Sequence, residues 1–266
     1  MATVRPAAVA GTFYPADPAV LRRTVEALLD EASPIEVDIV PRLLVVPHAG
    51  YVYSGSVAAS AYRLIRGAGG SFRRAVLIGP AHFMPPSLLA TPAADALATP
   101  LGEVPVDLEL TAAAHLSPVV APDPIAHGEE HSLEVQLPFL QVCIDDFAAL
   151  ALVTGEVESA AAADVLGEAI SRDDTIGIVS SDLSHYLDYE VARRRDTRTA
   201  AAITDLRLAD IARGDACGRT AVRAALIVAR RNGWDCRLLD LRNSGDTAGS
   251  PTRVVGYGAF AIGPGV

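Results

Sequence analysis

Three of the six histidines stand where an apolar run gives out. His48 follows Leu43-Leu-Val-Val-Pro47, His82 lies three residues past Ala75-Val-Leu-Ile-Gly79, and His185 lies just beyond Thr175–Ser180 with Asp182 between. Runs of this kind read as buried strands, and in an open parallel sheet ligands bind outside the carboxyl ends of the strands, where loops converge. Any one of these histidines, taken alone, is better explained as a hydrogen-bonded loop residue. Three imidazoles and a carboxylate at three strand ends argue jointly for a site. Imidazole is both a metal ligand and the side chain that exchanges a proton near neutral pH.

Two further features add donors. Cys217, in Gly214-Asp-Ala-Cys-Gly-Arg219, stands at the opening of a strongly periodic segment. Amides at a helix N-terminus lower a thiol's pKa and favour the thiolate, which ligates metals and attacks carbon; the competing reading is a small buried apolar residue. In His127-Gly-Glu-Glu-His-Ser-Leu-Glu134, His131 and Glu134 are three apart and share a face if the segment is helical. That pair would either orient a ligand or shuttle protons behind the site, or serve only in capping, whereas Glu129 and Glu130 read as acids complementing the dipole of a first helical turn. His115 reads as a surface helix residue and His127 is undecided. Cys143 and Cys236 read as buried apolar residues, and Arg193–Arg195 as a solvated helix face.

The elements that must position these groups alternate along the chain. Strands are expected at 43–47, 75–79, 148–153, 175–180, 235–242 and 253–262. Helical periods lie between them: from a cap at Ser54 through Val57, Ala61, Leu64 and Ile65; at 107–115; at 130–142, where Pro138 should kink or end the helix; at 158–171; at 189–206; and at 217–232, closed by Asn232-Gly233. This alternation predicts an α/β fold, one domain over 1–266, with a largely parallel central sheet flanked by helices.

Composition removes several classes of function. Half of the 266 residues are hydrophobic and a fifth are charged, which excludes a disordered chain. The 22 basic residues, all arginine, face 32 acidic ones, for a net charge of −10 without a basic stripe, so nucleic acid is not expected as a ligand. No apolar run is long enough to span a membrane, no signal peptide is read at the start, and three cysteines without a CxxC do not form a disulfide framework. A reduced cytoplasmic protein is the expectation.

Taken in order, Gly11–Tyr14, Pro47–Tyr51 with Ser54-Gly55, Ile78–His82, Glu130–Glu134, Ser180–His185 and Cys217–Arg219 resemble the Memo family, whose prokaryotic members are called AmmeMemoRadiSam system protein B. The resemblance covers essentially the whole chain. It implies a fold similar to the catalytic subunit of class III extradiol dioxygenases, metal ligands at His48, His82 and Cys217, and a pocket also lined by Asp182 and His185. The chain departs from familiar eukaryotic members at Phe13, where they carry tryptophan, and at Phe83, where a second histidine follows the first.

Two imidazoles and a thiolate suit iron, copper or zinc. The leading expectation is an iron-binding redox protein acting on a small organic substrate, with His185, oriented by Asp182, as general acid/base. Zinc would point to hydrolysis instead, and blue copper would want a methionine, for which Met84 is the weak candidate. The family name associates such proteins with an Amme-domain protein and a radical S-adenosylmethionine enzyme. Two other classes stay open: a metal-independent hydrolase with Cys217 as nucleophile and His185 as base, and a non-enzymatic protein holding a peptide or partner in the cleft.

Overall fold

The computed structural model describes residues 2–33, 35–66 and 71–266. In chain order its strands are β1 (Val4–Arg5), β2 (Leu43–Val46), β3 (Arg74–Pro80), β4 (Leu89–Thr91), β5 (Ala96–Thr99), β6 (Gly102–Pro105), β7 (Val120–Pro122), β8 (Ala148–Thr154), β9 (Thr175–Ser180), β10 (His185–Leu187), β11 (Asp235–Asn243) and β12 (Val254–Gly263). The helices are α1 (Pro18–Glu31), α2 (Tyr51–Arg66), α3 (Leu108–Ala114), α4 (Pro124–Gly128), α5 (Leu137–Cys143), α6 (Ser159–Ala169), α7 (Tyr189–Thr204) and α8 (Arg219–Asn232).

Four parallel strands, in the order β2-β9-β3-β8, form the centre of the main sheet. Antiparallel pairing at β12–β2 and β8–β4 extends it on both sides. The four central strands read as continuous apolar runs because both of their faces are buried. Alternation sorts their side chains: Leu44, Val46 and Leu77 enter one core with α1, α2 and α5, and Leu43, Val45 and Val76 enter the other with α6 and α8. Each such fully buried side chain contributes roughly 1.5–3 kcal/mol of apolar transfer. A separate three-stranded sheet, β1-β5-β6, carries the N-terminal segment.

The expected α/β architecture is present, with local corrections. Helix α2 begins at Tyr51, so Ser54 is not its cap; the Ser54 hydroxyl instead donates to the Ala49 carbonyl (2.9 Å). Residues 130–142 are not one helix. Residues 130–133 form an irregular turn, Glu134–Gln136 a single 3-10 turn, and Pro138 sits at the start of α5 rather than inside a helix. Proline's missing N–H is harmless there, because the first amides of a helix have no intrahelical acceptor. At the end of α8, Gly233 takes the left-handed conformation (φ 65°) and caps the carbonyls of Ala229 and Arg230, as its sequence position predicts. Among the described residues no helix is long and apolar enough to cross a membrane.

Candidate metal centre

Strand β9 lies between β2 and β3, so the loops after all three open side by side at the carboxyl edge of the sheet. His48 comes from the first loop, His82 from the second, and Asp182 and His185 from the third. His131 arrives from the turn ahead of α5. One ligand atom from each of His48, His82 and His131 lies within 4.8 Å of the others. The rings of His82 and His131 are stacked at 4.5 Å, and His48 meets them edge-on at 5.1 and 5.6 Å. His48 is buried, His131 is half-buried and His82 is exposed at the mouth.

The hydrogen bonds behind these rings set which nitrogen is free. Ser180 at the end of β9 donates its one hydroxyl hydrogen to the Ser132 carbonyl (2.6 Å). It can therefore only accept from Gln136 Nε2 (2.9 Å) and from His48 Nδ1 (2.8 Å). His48 carries its proton on Nδ1 and turns the Nε2 lone pair into the cleft. Burial, reinforced by the neighbouring His82 and His131, holds its pKa well below the ordinary histidine value, so the ring is neutral near pH 7. His82 is set in the same way: Nδ1 lies 2.9 Å from Glu130 Oε1, leaving Nε2 free. Burial opposes ionisation of Glu130. Donors from the His82 ring, the His82 backbone (2.5 Å) and the Ser132 backbone (2.8 Å) outweigh it and hold that carboxyl at about 2.

Cys217, from far downstream, reaches His48, although the group of ligand atoms within 4.8 Å of one another is formed by the three histidines without it. Its Sγ lies 3.2 Å from His48 Nε2 and 3.2 Å from the Asp182 amide, which donates to it. The approach is close enough to require glycine next in sequence, since a Cβ on Gly218 would fall 2.5 Å from the Ser180 carbonyl oxygen. The expected low thiol pKa is overturned. Gly218, not Cys217, is the N-cap of α8, and burial together with the nearby Asp182 carboxylate pushes the thiol up to about 12. Asp182 is itself buried; its Oδ1 accepts from the His48 amide (2.8 Å), Oδ2 lies 4.0 Å from His48 Nε2, and burial raises its pKa.

His185 is anchored through Nδ1 to the Leu183 carbonyl (2.9 Å) and not, as expected, by Asp182, whose carboxylate is engaged with His48; among the described residues Nε2 of His185 makes no hydrogen bond. The next residue, Tyr186, is held at φ 56°, an uncommon conformation for a bulky side chain, where β10 shifts register against β12. Glu134 does not share a face with His131. It is buried against the N-terminal segment, accepting from Arg5, from the amides of Ala8 (2.8 Å) and Val9 (3.0 Å), and from the Tyr14 hydroxyl (2.5 Å). That network ties down the segment carrying Phe13, whose ring lies 4.6 Å from His131; Phe83 lies 6.0 Å from it on another side. Glu129 ends α4 rather than opening a helix. His127 is buried with Nε2 on the Ala90 carbonyl (2.8 Å), and His115 caps α3 and bonds Thr91 (2.8 Å); neither joins the cluster.

The donor set fits a borderline or soft divalent metal. Two Nε2 lone pairs are aimed by second hydrogen bonds, as ligating histidines require, and a thiol stands beside one of them. His131 Nδ1 is buried with no hydrogen-bond partner, 3.6 Å from Glu130 Oε1, so this ring has unmet bonding capacity at the cluster.

The family described as "Memo-like protein" matches residues 5–261. A "MEMO1 family protein" of Aquifex aeolicus is 37% identical over 96% of this chain and 97% of its own length, and one of Archaeoglobus fulgidus is 36% identical with the same coverage. The crystal structure of an uncharacterized protein from Escherichia coli K12 superposes with a TM-score of 0.54 at 14% identity, over 81% of this chain and 98% of that one, a likeness of fold alone.

Proposed function

This chain is a member of the Memo-like protein family, and from that premise we propose that it is a metal-dependent redox protein acting on a small organic substrate. The observation that carries the proposal is the convergence of His48, His82 and His131 within 4.8 Å, with the Cys217 sulfur 3.2 Å from His48. We assign His48 Nε2, His82 Nε2 and Cys217 Sγ as ligands, with His131 facing the same centre. Two imidazoles and a sulfur suit iron, copper or zinc; iron is the metal that the family resemblance puts first. Bound there, the metal would supply one-electron chemistry and an open coordination position.

The chain's own residues do the rest. Ser180 and Glu130 hold the two rings in their ligating tautomers. Asp182 fixes the His48 backbone. His185 takes or gives the substrate proton at Nε2, and Phe13 and Phe83 wall the cleft beside His131. The raised Cys217 thiol counts against a metal-free nucleophile at that position. Functional association with an Amme-domain protein and a radical S-adenosylmethionine enzyme, and a cytoplasmic location, belong to the same reading.

Elemental analysis of protein purified without oxygen tests it. Near-stoichiometric metal that His48→Ala abolishes is the expected result, and Cys217→Ser should weaken binding more than His131→Asn. Full occupancy in His48→Ala would overturn the ligand assignment.

A further inference from the structure

Six of the chain's 22 basic residues fall between positions 193 and 213, in a protein that carries ten more acids than bases. Three of the six are matched to carboxylates. Arg193 pairs with Glu190 (3.0 Å), Arg195 with Asp215 (2.7 Å), and Arg207 with Asp205 (3.2 Å) and Asp210 (3.1 Å). Arg194 and Arg198 are different. They are four apart on α7 and exposed, and among the described residues neither has a carboxylate within ion-pair distance. Like charges at this spacing repel by a few tenths of a kcal/mol. With 32 acids available, none stands opposite them.

Both arginines line an open cavity of about 730 Å³ between α7 and the 207–215 segment. The volume is that of a small-molecule site. Arg194, Arg195, Arg198 and Arg207 face Asp210 and Asp215 across it, an excess of two positive charges, while Leu187, Val191 and Ala212 supply an apolar wall. None of these residues belongs to the imidazole cluster. Guanidinium groups bind phosphate oxygens in a fixed two-pronged geometry.

We propose that this groove is a second ligand site, for a small molecule carrying a phosphate monoester on an apolar body. The phosphate sits between the Arg194 and Arg198 guanidiniums, and the apolar part rests on Leu187 and Val191.

Calorimetric titration of the purified protein with mono-n-butyl phosphate at physiological salt tests this. The expected result is saturable one-to-one binding with a Kd below about 1 mM. Affinity should fall by about tenfold or more in the double variant Arg194→Gln/Arg198→Gln, the loss of two charge-assisted contacts. It should be unchanged in Arg22→Gln/Arg23→Gln, which removes two exposed charges from α1. No saturable binding, undiminished binding in the first variant, or an equal loss in the second would each overturn the proposal.

Discussion

Ser180 Oγ lies 2.8 Å from His48 Nδ1 and has already given its only hydrogen to the Ser132 carbonyl, so the serine dictates the tautomer of the histidine. The serine lies at the end of the strand that separates the two histidine-bearing strands, and so reaches behind His48 without entering the cleft. Removing it as Ser180→Ala leaves the His48 and Gln136 donors without this acceptor. Metal affinity, measured by competition with a chelator, should fall by about 10- to 100-fold, the usual cost of losing an outer-shell partner. The variant should still fold, at a cost of about 1–3 kcal/mol in denaturant unfolding.

A different buried histidine contributes its own share to acid stability. His127 is buried away from the cluster, and burial lowers its pKa from 6.5 to about 4. The unfolded chain therefore takes up this proton before the folded one does as pH falls. Stability from keeping the ring neutral is fully present above pH 6.5 and is lost progressively down to pH 4, by at most about 3 kcal/mol. Denaturant unfolding at intervals between pH 7.5 and 4.5 should show this decline, and His127→Gln, which can still donate to the Ala90 carbonyl, should make it shallower, with the remainder coming from His48 and His131, also lowered by burial.

How much of this was legible beforehand follows from how local each cause is. The runs at β2, β3, β8 and β9 are buried on both faces and leave an unbroken apolar signature, so the strand ends carrying His48, His82 and Asp182 can be read directly. The spacing of His131 and Glu134 suggested one helical face. It misled because the Glu130 side chain takes the Ser132 amide for itself and the regular helix starts only at Leu137. Glu130 resembled a first-turn acid, since nothing nearby in sequence announces His82 as its partner 48 residues away. Ser180 is indistinguishable from Ser181 and Ser184 until Gln136 and Ser132 are folded against it. For Cys217 the helix terminus was visible but its depth was not, and burial reversed the sign of the pKa shift.

That reversal has a chemical consequence. A thiol raised from 9 to about 12 has about a thousandfold less thiolate at neutral pH than an unperturbed one. In metal-free folded protein, iodoacetamide should label Cys217 no faster at pH 8 than it labels the buried Cys236, also raised to about 12. Unfolding in denaturant should make all three cysteines react alike. Rapid, selective modification of Cys217 at pH 8, followed by peptide mass spectrometry, would revive the nucleophile reading.

The loop bearing His185 depends on a buried carboxylate outside the cleft. Asp196 on α7 accepts from the Ser184 amide and the Ser184 hydroxyl, each at 3.0 Å, while the Ser184 carbonyl accepts from Gly256 (2.8 Å). A Cβ on Gly256 would collide with that carboxylate, so helix and strand are packed as closely as backbone permits. Asp196→Ala strands two buried donors and should cost about 1–3 kcal/mol for each. Asp196→Asn keeps one acceptor and removes a charge that burial already disfavours, as the raised pKa of Asp196 records, so it should cost measurably less. The local effect separates positioning from general destabilisation. In Asp196→Ala the amides of residues 183–185 should exchange with deuterium at least about fivefold faster than in the native protein, while the central strands β3 and β9 keep their protection.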